Sequence, residues 1–414
     1  MTDNRTFVII GASLAGAKAA ETLREAGFTG RVVLVGEEAE LPYERPPLSK
    51  GYLHGKDDRE KAIVHDRQWY ADHDVELRLG TRATAVDRAA HEVTLEGGER
   101  LGYDKLLLAT GSRVRHVDVP GVDLDGVCYL RTIGQAEDLL ARMRAAQRVV
   151  VIGAGWIGME TAAAARHHGA EVTVVELDSL PLRRVLGREV AKVFADLHKQ
   201  HGVTFRFGVG VAEFRGSNGK LTSVVLADGS ELPADLAVVG VGIVPNTELA
   251  AAAGLEVDNG VVTDASLRTS DPDVYAAGDV ASIHTPLLGR RIRVEHWANA
   301  LNGGPAAARA MLGEDVVYDR VPYFFSDQYE LGMEYAGWVD PDGYDWVVFR
   351  GEPKADGEFL AFWVSDGRVL AGMNVNIWDA GDDIQALVRA GHAGTAVDTD
   401  RLSDPSIPLG SLLG

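Results

Sequence analysis

Thr6-Phe7-Val8-Ile9-Ile10 runs into Gly11-Ala12-Ser13-Leu14-Ala15-Gly16, and Arg148-Val149-Val150-Val151-Ile152 runs into Gly153-Ala154-Gly155-Trp156-Ile157-Gly158. Both are a short apolar run followed by a turn of small residues. An alanine-rich stretch follows each, to Ala26 and to His168, and then a second apolar run, Arg31 to Val35 or Glu171 to Val175. Each copy closes on an acid, Glu37 or Glu176, about 20 residues past the last glycine. Strand, glycine turn, helix, strand and acid together form the β-α-β dinucleotide signature. The first glycine allows the sharp turn, the middle small residue lets a pyrophosphate approach the backbone, and the last lets helix and strand pack closely. The helix N-terminus then presents free N–H groups and partial positive charge to the phosphates, and the acid accepts from ribose hydroxyls. A single motif of this kind is often an ordinary turn. Two in full context point to two bound dinucleotides, a resident flavin and an exchanging nicotinamide.

The rest of the chain fits an α/β protein of this design. Its 414 residues suggest two or three domains. A chain of that length buries enough surface to fold without a disulfide or metal staple. Apolar residues make up 46% and charged residues 25%, a globular composition, and the net charge of −20 argues against nucleic-acid binding. Cys128 is the only cysteine, which excludes an intramolecular disulfide and a thiolate zinc site. The apolar run before Gly11 is too short for a signal-peptide core, and no run approaches the ~20 residues of a membrane span, so the cytosol is the expected compartment.

Further strands end in small-residue turns. They are Leu106 to Thr110-Gly111, Leu236 to Val241-Gly242, and Asp273 to Gly278-Asp279, the last with an acid where ligands of α/β sheets sit. From about Val321 aromatic residues become dense. Period-two runs, Tyr344 to Phe349 and Phe359 to Val364, lie between the Asp-Gly turns at 342, 356 and 366. This reads as a third, α+β domain with a helix over Asp382 to Ala390 and a proline-bearing tail. His296 and the pair His167-His168 lack metal-ligand spacing, so no metal site is expected.

Taken with Tyr43-Glu44-Arg45-Pro46-Pro47-Leu48-Ser49-Lys50, Tyr129-Leu130-Arg131-Thr132, Glu295-His296-Trp297-Ala298-Asn299-Ala300 and Pro322 to Gln328, these motifs resemble the flavoprotein reductases built like glutathione reductase. The branch most similar reduces ferredoxin, putidaredoxin or rubredoxin carriers for cytochromes P450 and ring-hydroxylating dioxygenases. The resemblance covers essentially the whole chain. It implies two Rossmann-like domains and a C-terminal α+β domain: a discontinuous FAD domain (1–112 and 243–320), an NAD domain (113–242) and a C-terminal interface domain (321–414).

The resemblance also implies site residues. On the FAD side stand Gly11, Ser13, Leu14, Ala15 and Gly16 at the pyrophosphate, Glu37 at the ribose and Ala83 at the adenine. Ala109, Thr110 and Gly111 line the site, with Arg45, Lys50 and Arg131 toward the flavin. Gly278 and Asp279 serve the ribitol chain, and Glu295, His296, Trp297 and Phe325 approach the ring. On the NAD side stand Gly153, Gly155, Trp156, Ile157 and Gly158, with Glu160 facing the nicotinamide and Glu176, Arg184, Val241 and Gly242 around the remainder. Lys50 and Glu160 form the candidate catalytic ion pair, with the lysine cation favouring the anionic reduced flavin. Each has a plainer reading: Arg45 and Lys50 as a surface pair, Asp279 as a turn cap, Arg131 as a loop charge, Trp297 and Phe325 as core aromatics.

A flavin accepts two electrons as hydride and releases them singly, which suits NADH as donor and a 2Fe–2S ferredoxin as acceptor. Disulfide reductases of this fold need two cysteines near Pro46 to Gly51, and its peroxidases need one near Tyr43; this chain has neither. Cys128 reads as a small apolar residue. Glu176 favours NADH over NADPH, an inference that Arg183 and Arg184 blunt. Arg290, Arg291, Arg293 and Arg309 are a candidate docking patch for an acidic carrier, or an ordinary exposed hairpin. An NADH oxidase or diaphorase, and a redox-responsive flavoprotein like apoptosis-inducing factor, are the competing functions.

Overall fold

A computed structural model describes residues 3–413. Its contacts group into two compact units, one of residues 1–44, 60–113 and 244–322, the other of residues 45–59, 114–243 and 323–414.

The first unit is organised by a parallel five-stranded sheet. Its order is Val274–Ala276, Lys105–Leu108, Thr6–Ile10, Arg31–Val35, Val75–Arg78. Thr6–Ile10 lies at the centre with Phe7, Val8 and Ile9 wholly buried, as a strand covered on both faces must be. The register sets Ile10 beside both Val35 and Leu108, so the turn at Gly11 leaves the sheet where two neighbouring strands also end. Helix Leu14–Glu25 follows, with Ala17, Ala19, Ala20 and Leu23 buried. Gly304 of helix Trp297–Met311 packs against the carbonyl of Ala15 with no room for a Cβ, so these two helices approach as closely as backbones allow.

The second unit repeats the plan, in the order Val203–Phe207, Glu171–Glu176, Arg148–Ile152, Leu236–Val239, Val127–Cys128, all parallel. Helix Trp156–His167 follows the glycine turn. An antiparallel sheet completes the unit, ordered Tyr323–Gln328, Leu331–Gly337, Arg368–Val375, Phe359–Ser365, Trp346–Gly351 and backed by helix Gly381–His392. Asp366 and Gly367 both adopt positive φ in the two-residue turn between its strands, as the Asp-Gly pair predicts.

Three features depart from the sequence reading. Residues 45–59 group with the second unit rather than with the segments around them. The aromatic C-terminal sheet shares its core with the second glycine-turn sheet: Phe324, Tyr335 and Trp363 belong to one apolar cluster with Val151, Met159 and Phe194. The reason is packing. Trp363 is fully buried and its indole N–H reaches the Leu186 carbonyl at 3.2 Å, on the helix between the two halves of this core. The expected tail is a packed segment instead: Leu402, Leu409 and Leu412 are buried and Arg350 donates to the carbonyls of Pro405 and Ile407.

Among the described residues no helix is long and apolar enough to cross a membrane, and no group of three or more His, Cys, Asp or Glu side chains is arranged to hold a metal ion.

Candidate functional site

In the first unit, Gly11 takes φ +118° and a Cβ there would strike the Ala109 carbonyl, while Gly16 presses on the carbonyl of Gly11. Ser13 precedes the helix in extended conformation. Its hydroxyl turns to the Tyr43 carbonyl at 3.3 Å and caps nothing, so the N–H groups of the first turn, at Leu14, Ala15 and Gly16, stay directed out of the helix end. Gly278, at φ +76°, stands where a Cβ would meet the Cβ atoms of both Ala15 and Ala300. Two helix N-termini therefore converge on one glycine turn, and Asp279 follows directly in it. The donor set of this cradle fits a pyrophosphate.

The other first-unit residues lie around that cradle in several ways. Thr110 exchanges hydrogen bonds with Asn246, and Gly111 accepts from the Asn246 N–H. Trp297 opens its helix and donates its indole N–H to Glu44 at 2.8 Å, a partner the sequence reading did not anticipate. Burial lowers His296, the residue before it, to about 4 even with Asp279 nearby, so the ring is neutral. Glu295 pairs with Arg293 at 2.5 Å. Glu37 is largely exposed, with Arg82 at 3.8 Å, and Ala83 begins the strand that pairs with Glu92–Leu95.

Two of the four arginines read as a docking patch are taken up by the fold, while Arg290 and Arg309 stay exposed. Arg291 donates to the carbonyls of Thr263 and Ser282, Arg293 is a tenth exposed and held by Glu295, and Arg309 faces Glu314 at 3.4 Å. The guanidiniums of Arg291 and Arg293 brace the fold because nearby carbonyls and a carboxylate claim them first.

In the second unit the copy is more open. Gly153, at φ +96°, packs on the Gly240 carbonyl and Gly158 on that of Gly153, yet a Cβ at Gly155 would meet nothing within 4 Å. Gly155 caps helix Trp156–His167 without a side-chain bond, and Ile157 beside it is 44% exposed. Trp156 turns inward, its ring against Phe194 and Phe324, so only its backbone remains at the helix end. Glu176 ends its strand with both oxygens fixed: Oε2 accepts from the Ala154 N–H at 2.7 Å and Oε1 from the Asp178 N–H at 2.8 Å. Beside it lies a cleft of about 480 Å³ lined by Leu177, Asp178, Ser179, Arg183, Arg184, Phe207 and Gly208. Arg183 pairs with Asp178 at 2.9 Å, which holds that carboxyl below its usual range; Arg184 stands 4.0 Å from it. Val241 and Gly242 follow the strand Leu236–Val239, Gly242 exposed at φ +100°.

The same unit joins Lys50 to Glu160. Pro46 and Pro47 start a short helical turn, Pro46–Ser49, that ends at Lys50, and the lysine Nζ donates to Glu160 Oε1. Glu160 is 3% exposed, on the first turns of helix Trp156–His167. Two further donors reach it that the sequence reading missed: Ser49 Oγ at 2.5 Å to Oε2, and Ser326 Oγ at 2.7 Å to Oε1. Phe325 lies with its ring centroid 5.3 Å from the Lys50 ammonium. Arg45 donates to the carbonyl of Arg131, just before the Thr132 capping box of helix Ile133–Ala145. Burial pushes the Cys128 thiol up to about 11, which keeps it protonated and unreactive at neutral pH.

Known proteins are similar to this chain over nearly its whole length. The family described as pyridine nucleotide-disulphide oxidoreductase matches residues 5–304, and a reductase C-terminal domain matches residues 323–413. Rhodocoxin reductase of Rhodococcus erythropolis is 42% identical over 90% of this chain and 86% of its own. The ferredoxin–NAD(+) reductase component of the anthranilate 1,2-dioxygenase system of Burkholderia cepacia is 41% identical over 98% and 99%. The crystal structure of the ferredoxin reductase for the CYP199A2 system from Rhodopseudomonas palustris superposes with a TM-score of 0.93, at 38% identity, covering 99% of this chain and 100% of that one. With the family's match running through both glycine-turn sheets and relatives aligned nearly end to end, the chain belongs to the pyridine nucleotide-disulphide oxidoreductases.

Proposed function

We propose that the chain is an NADH-dependent, FAD-containing ferredoxin reductase that feeds electrons singly to a 2Fe–2S carrier serving a cytochrome P450 or a ring-hydroxylating dioxygenase. The observation that carries this reading is the cysteine inventory. The family's name refers to disulphide chemistry, but this chain has one cysteine and its thiol is held protonated. Reducing equivalents therefore have no internal disulfide to enter and must leave for an external acceptor. The relatives' names say what such acceptors are in their systems: a ferredoxin in the Burkholderia cepacia and Rhodopseudomonas palustris proteins.

The roles proposed for the segments and residues rest on the resemblance, and the geometry within each unit supports them. Segments 1–112 and 243–320 serve as the FAD domain, 113–242 as the NAD domain and 321–414 as the C-terminal domain. The helix ends at Leu14 and Trp297, with Gly11, Gly16 and Gly278, hold the FAD pyrophosphate, and Asp279 takes ribitol hydroxyls. The open turn at Gly155 and the N–H groups of Trp156, Ile157 and Gly158 receive the NADH pyrophosphate, with Glu176 accepting from the adenosine ribose. Bound flavin supplies the conversion between hydride and single-electron transfer. The protein's own contribution is charge and orientation. Lys50 provides a cation for the reduced ring, and Glu160 holds that cation in place until nicotinamide arrives. The compartment is the cytoplasm.

The test is NADH-dependent cytochrome c reduction with and without added 2Fe–2S ferredoxin, with oxygen uptake followed in parallel. Turnover that rises many-fold with ferredoxin is the expected result. Rapid oxygen consumption without any carrier would identify an oxidase instead, and slow turnover with a long-lived NAD complex a redox-responsive flavoprotein.

A further inference from the structure

Glu160 is the end of a buried hydrogen-bond chain. Ser326 and Gln328 alternate on strand Tyr323–Gln328 and so share a face; both are 1% exposed. Gln328 Nε2 lies 3.1 Å from Ser326 Oγ, and Gln328 Oε1 lies 2.9 Å from Nε2 of His198, a fully buried residue near the end of helix Arg183–Gln200.

The polarity of the chain follows from proton counting. Ser326 has one hydroxyl proton and gives it to the Glu160 carboxylate, so it accepts from Gln328. The amide must then present its NH₂ to Ser326 and its oxygen to His198, which requires the imidazole proton on Nε2. Every donor points toward Glu160. The far ring nitrogen, His198 Nδ1, is buried without a hydrogen-bond partner, and burial lowers the ring to about 4, so it stays neutral. Buried polar groups cost stability unless each is satisfied, so stability alone does not account for this chain. What this arrangement provides is direction.

We propose that Ser326, Gln328 and His198 are positioning residues: a one-way hydrogen-bond chain that fixes the Glu160 carboxylate and, through it, the Lys50 ammonium. The proposal rests on the role given to Lys50 above. Phe325, the neighbour of Ser326 on the same strand, sets its ring 5.3 Å from the Lys50 ammonium.

The experiment uses the FAD-loaded protein and reads the midpoint potential of the bound flavin alongside the rate of its reduction by NADH. Lys50→Ala moves the potential to more negative values. Gln328→Leu moves it in the same direction by less, and slows reduction by roughly threefold to tenfold, the worth of one hydrogen bond between neutral groups. The double variant Lys50→Ala/Gln328→Leu matches Lys50→Ala alone, because the glutamine acts only through the lysine. His198→Gln, which keeps a donor at the Nε2 position, retains the parent potential, whereas His198→Leu does not. Ser326→Ala repeats the Gln328→Leu result with the smallest change in volume, should the leucine fail to fold. An unchanged potential in both Gln328→Leu and Ser326→Ala, or additive effects in the double variant, overturns the proposal.

A second readout is independent of flavin. In protein labelled with ¹⁵N at its histidine rings, His198 shows a neutral ring with its proton on Nε2, and Glu160→Gln shifts that signal. A proton on Nδ1, or a signal that Glu160→Gln leaves in place, refutes the chain. If Lys50→Ala itself leaves the potential unmoved, the role assigned to Lys50 fails, and the nitrogen shift alone decides whether the chain exists.

Discussion

Replacing Glu176 by glutamine tests how the second cradle chooses its nucleotide. The carboxylate is held at both oxygens by main-chain N–H groups, at 2.7 Å from Ala154 and 2.8 Å from Asp178, so its position is fixed before any ligand binds. Each oxygen has a further lone pair, and two remain for the 2′- and 3′-hydroxyls of a ribose. A 2′-phosphate would bring between one and two negative charges to the same place. At about 5 Å and an effective dielectric constant near 20, each unit of charge costs about 3 kcal/mol against the carboxylate. Arg183 and Arg184 do little to cancel this, because Asp178 already engages the first at 2.9 Å and stands 4.0 Å from the second. Glu176→Gln removes the repulsion, and because its NH₂ cannot accept from a main-chain N–H it also gives up one of the two bonds that hold the side chain. With discounting for water in the open cleft, the ratio of kcat/KM for NADPH over NADH rises by about a hundredfold. The assay is steady-state ferredoxin reduction with each nucleotide at fixed ionic strength. A ratio that moves by less than about threefold, with the variant folded and flavin-loaded, would refute the electrostatic reasoning.

Other outcomes follow from the same coordinates. Gly155→Ala places a methyl group in open space, so the thermal midpoint stays near the parent's while NADH binds more weakly, as titration calorimetry will show. Gly153→Ala meets the Gly240 carbonyl from a positive-φ position, and differential scanning calorimetry should record a lowered thermal midpoint before any ligand is added. His198 is neutral in the fold at about 4 against 6.5 when unfolded, so the unfolded chain binds the extra proton between those values. Stability therefore drops as pH falls from 6.5 toward 4, by at most about 3 kcal/mol from this group, and urea titrations of His198→Gln should show a shallower acid limb. Trp297→Phe frees Glu44 of its indole partner, and FAD release measured by fluorescence should quicken while NADH affinity stays unchanged.

Both glycine-turn sheets were legible because their signals are local: an apolar run, a turn that only small residues can make, and an acid at a set distance. Lys50 and Glu160 were legible as a pair only through the resemblance, since no spacing in the chain relates residues 110 apart. The rest of that site depends on tertiary choices. His198 follows the apolar stripe Val190, Val193, Phe194, Leu197, and a histidine continuing that buried face was the one available signal. Strand Tyr323–Gln328 turns back through Tyr329 at φ +57°, a hairpin turn with no glycine to announce it. The arginines at 291 and 293 read as a patch because sequence shows charge but not the carbonyls and carboxylates that take it up. The supposed tail was misread for a similar reason, its three leucines being spaced too irregularly to suggest packing.

The two copies of the motif also differ in a way that matches one nucleotide staying and the other leaving. In the first unit Gly278 brings the start of helix Trp297–Met311 alongside the start of helix Leu14–Glu25, and Gly304 locks the pair against Ala15. Two helix ends then direct partial positive charge toward one place, and their contributions to an anion add. In the second unit a single helix end does this work, Gly155 opens to empty space and Ile157 is exposed beside it. Each helix end contributes about 1 kcal/mol toward a bound anion, up to about 2 kcal/mol when partly buried, and free N–H bonds to phosphate add to that. A second end is therefore enough to slow nucleotide release by about five- to thirtyfold. The asymmetry lies in the glycines at 278 and 304, outside either copy of the motif, and the sharper test of it is substitution there: Gly304→Ala should separate the two helix ends and turn a retained flavin into one lost on gel filtration, while leaving NADH binding as it was.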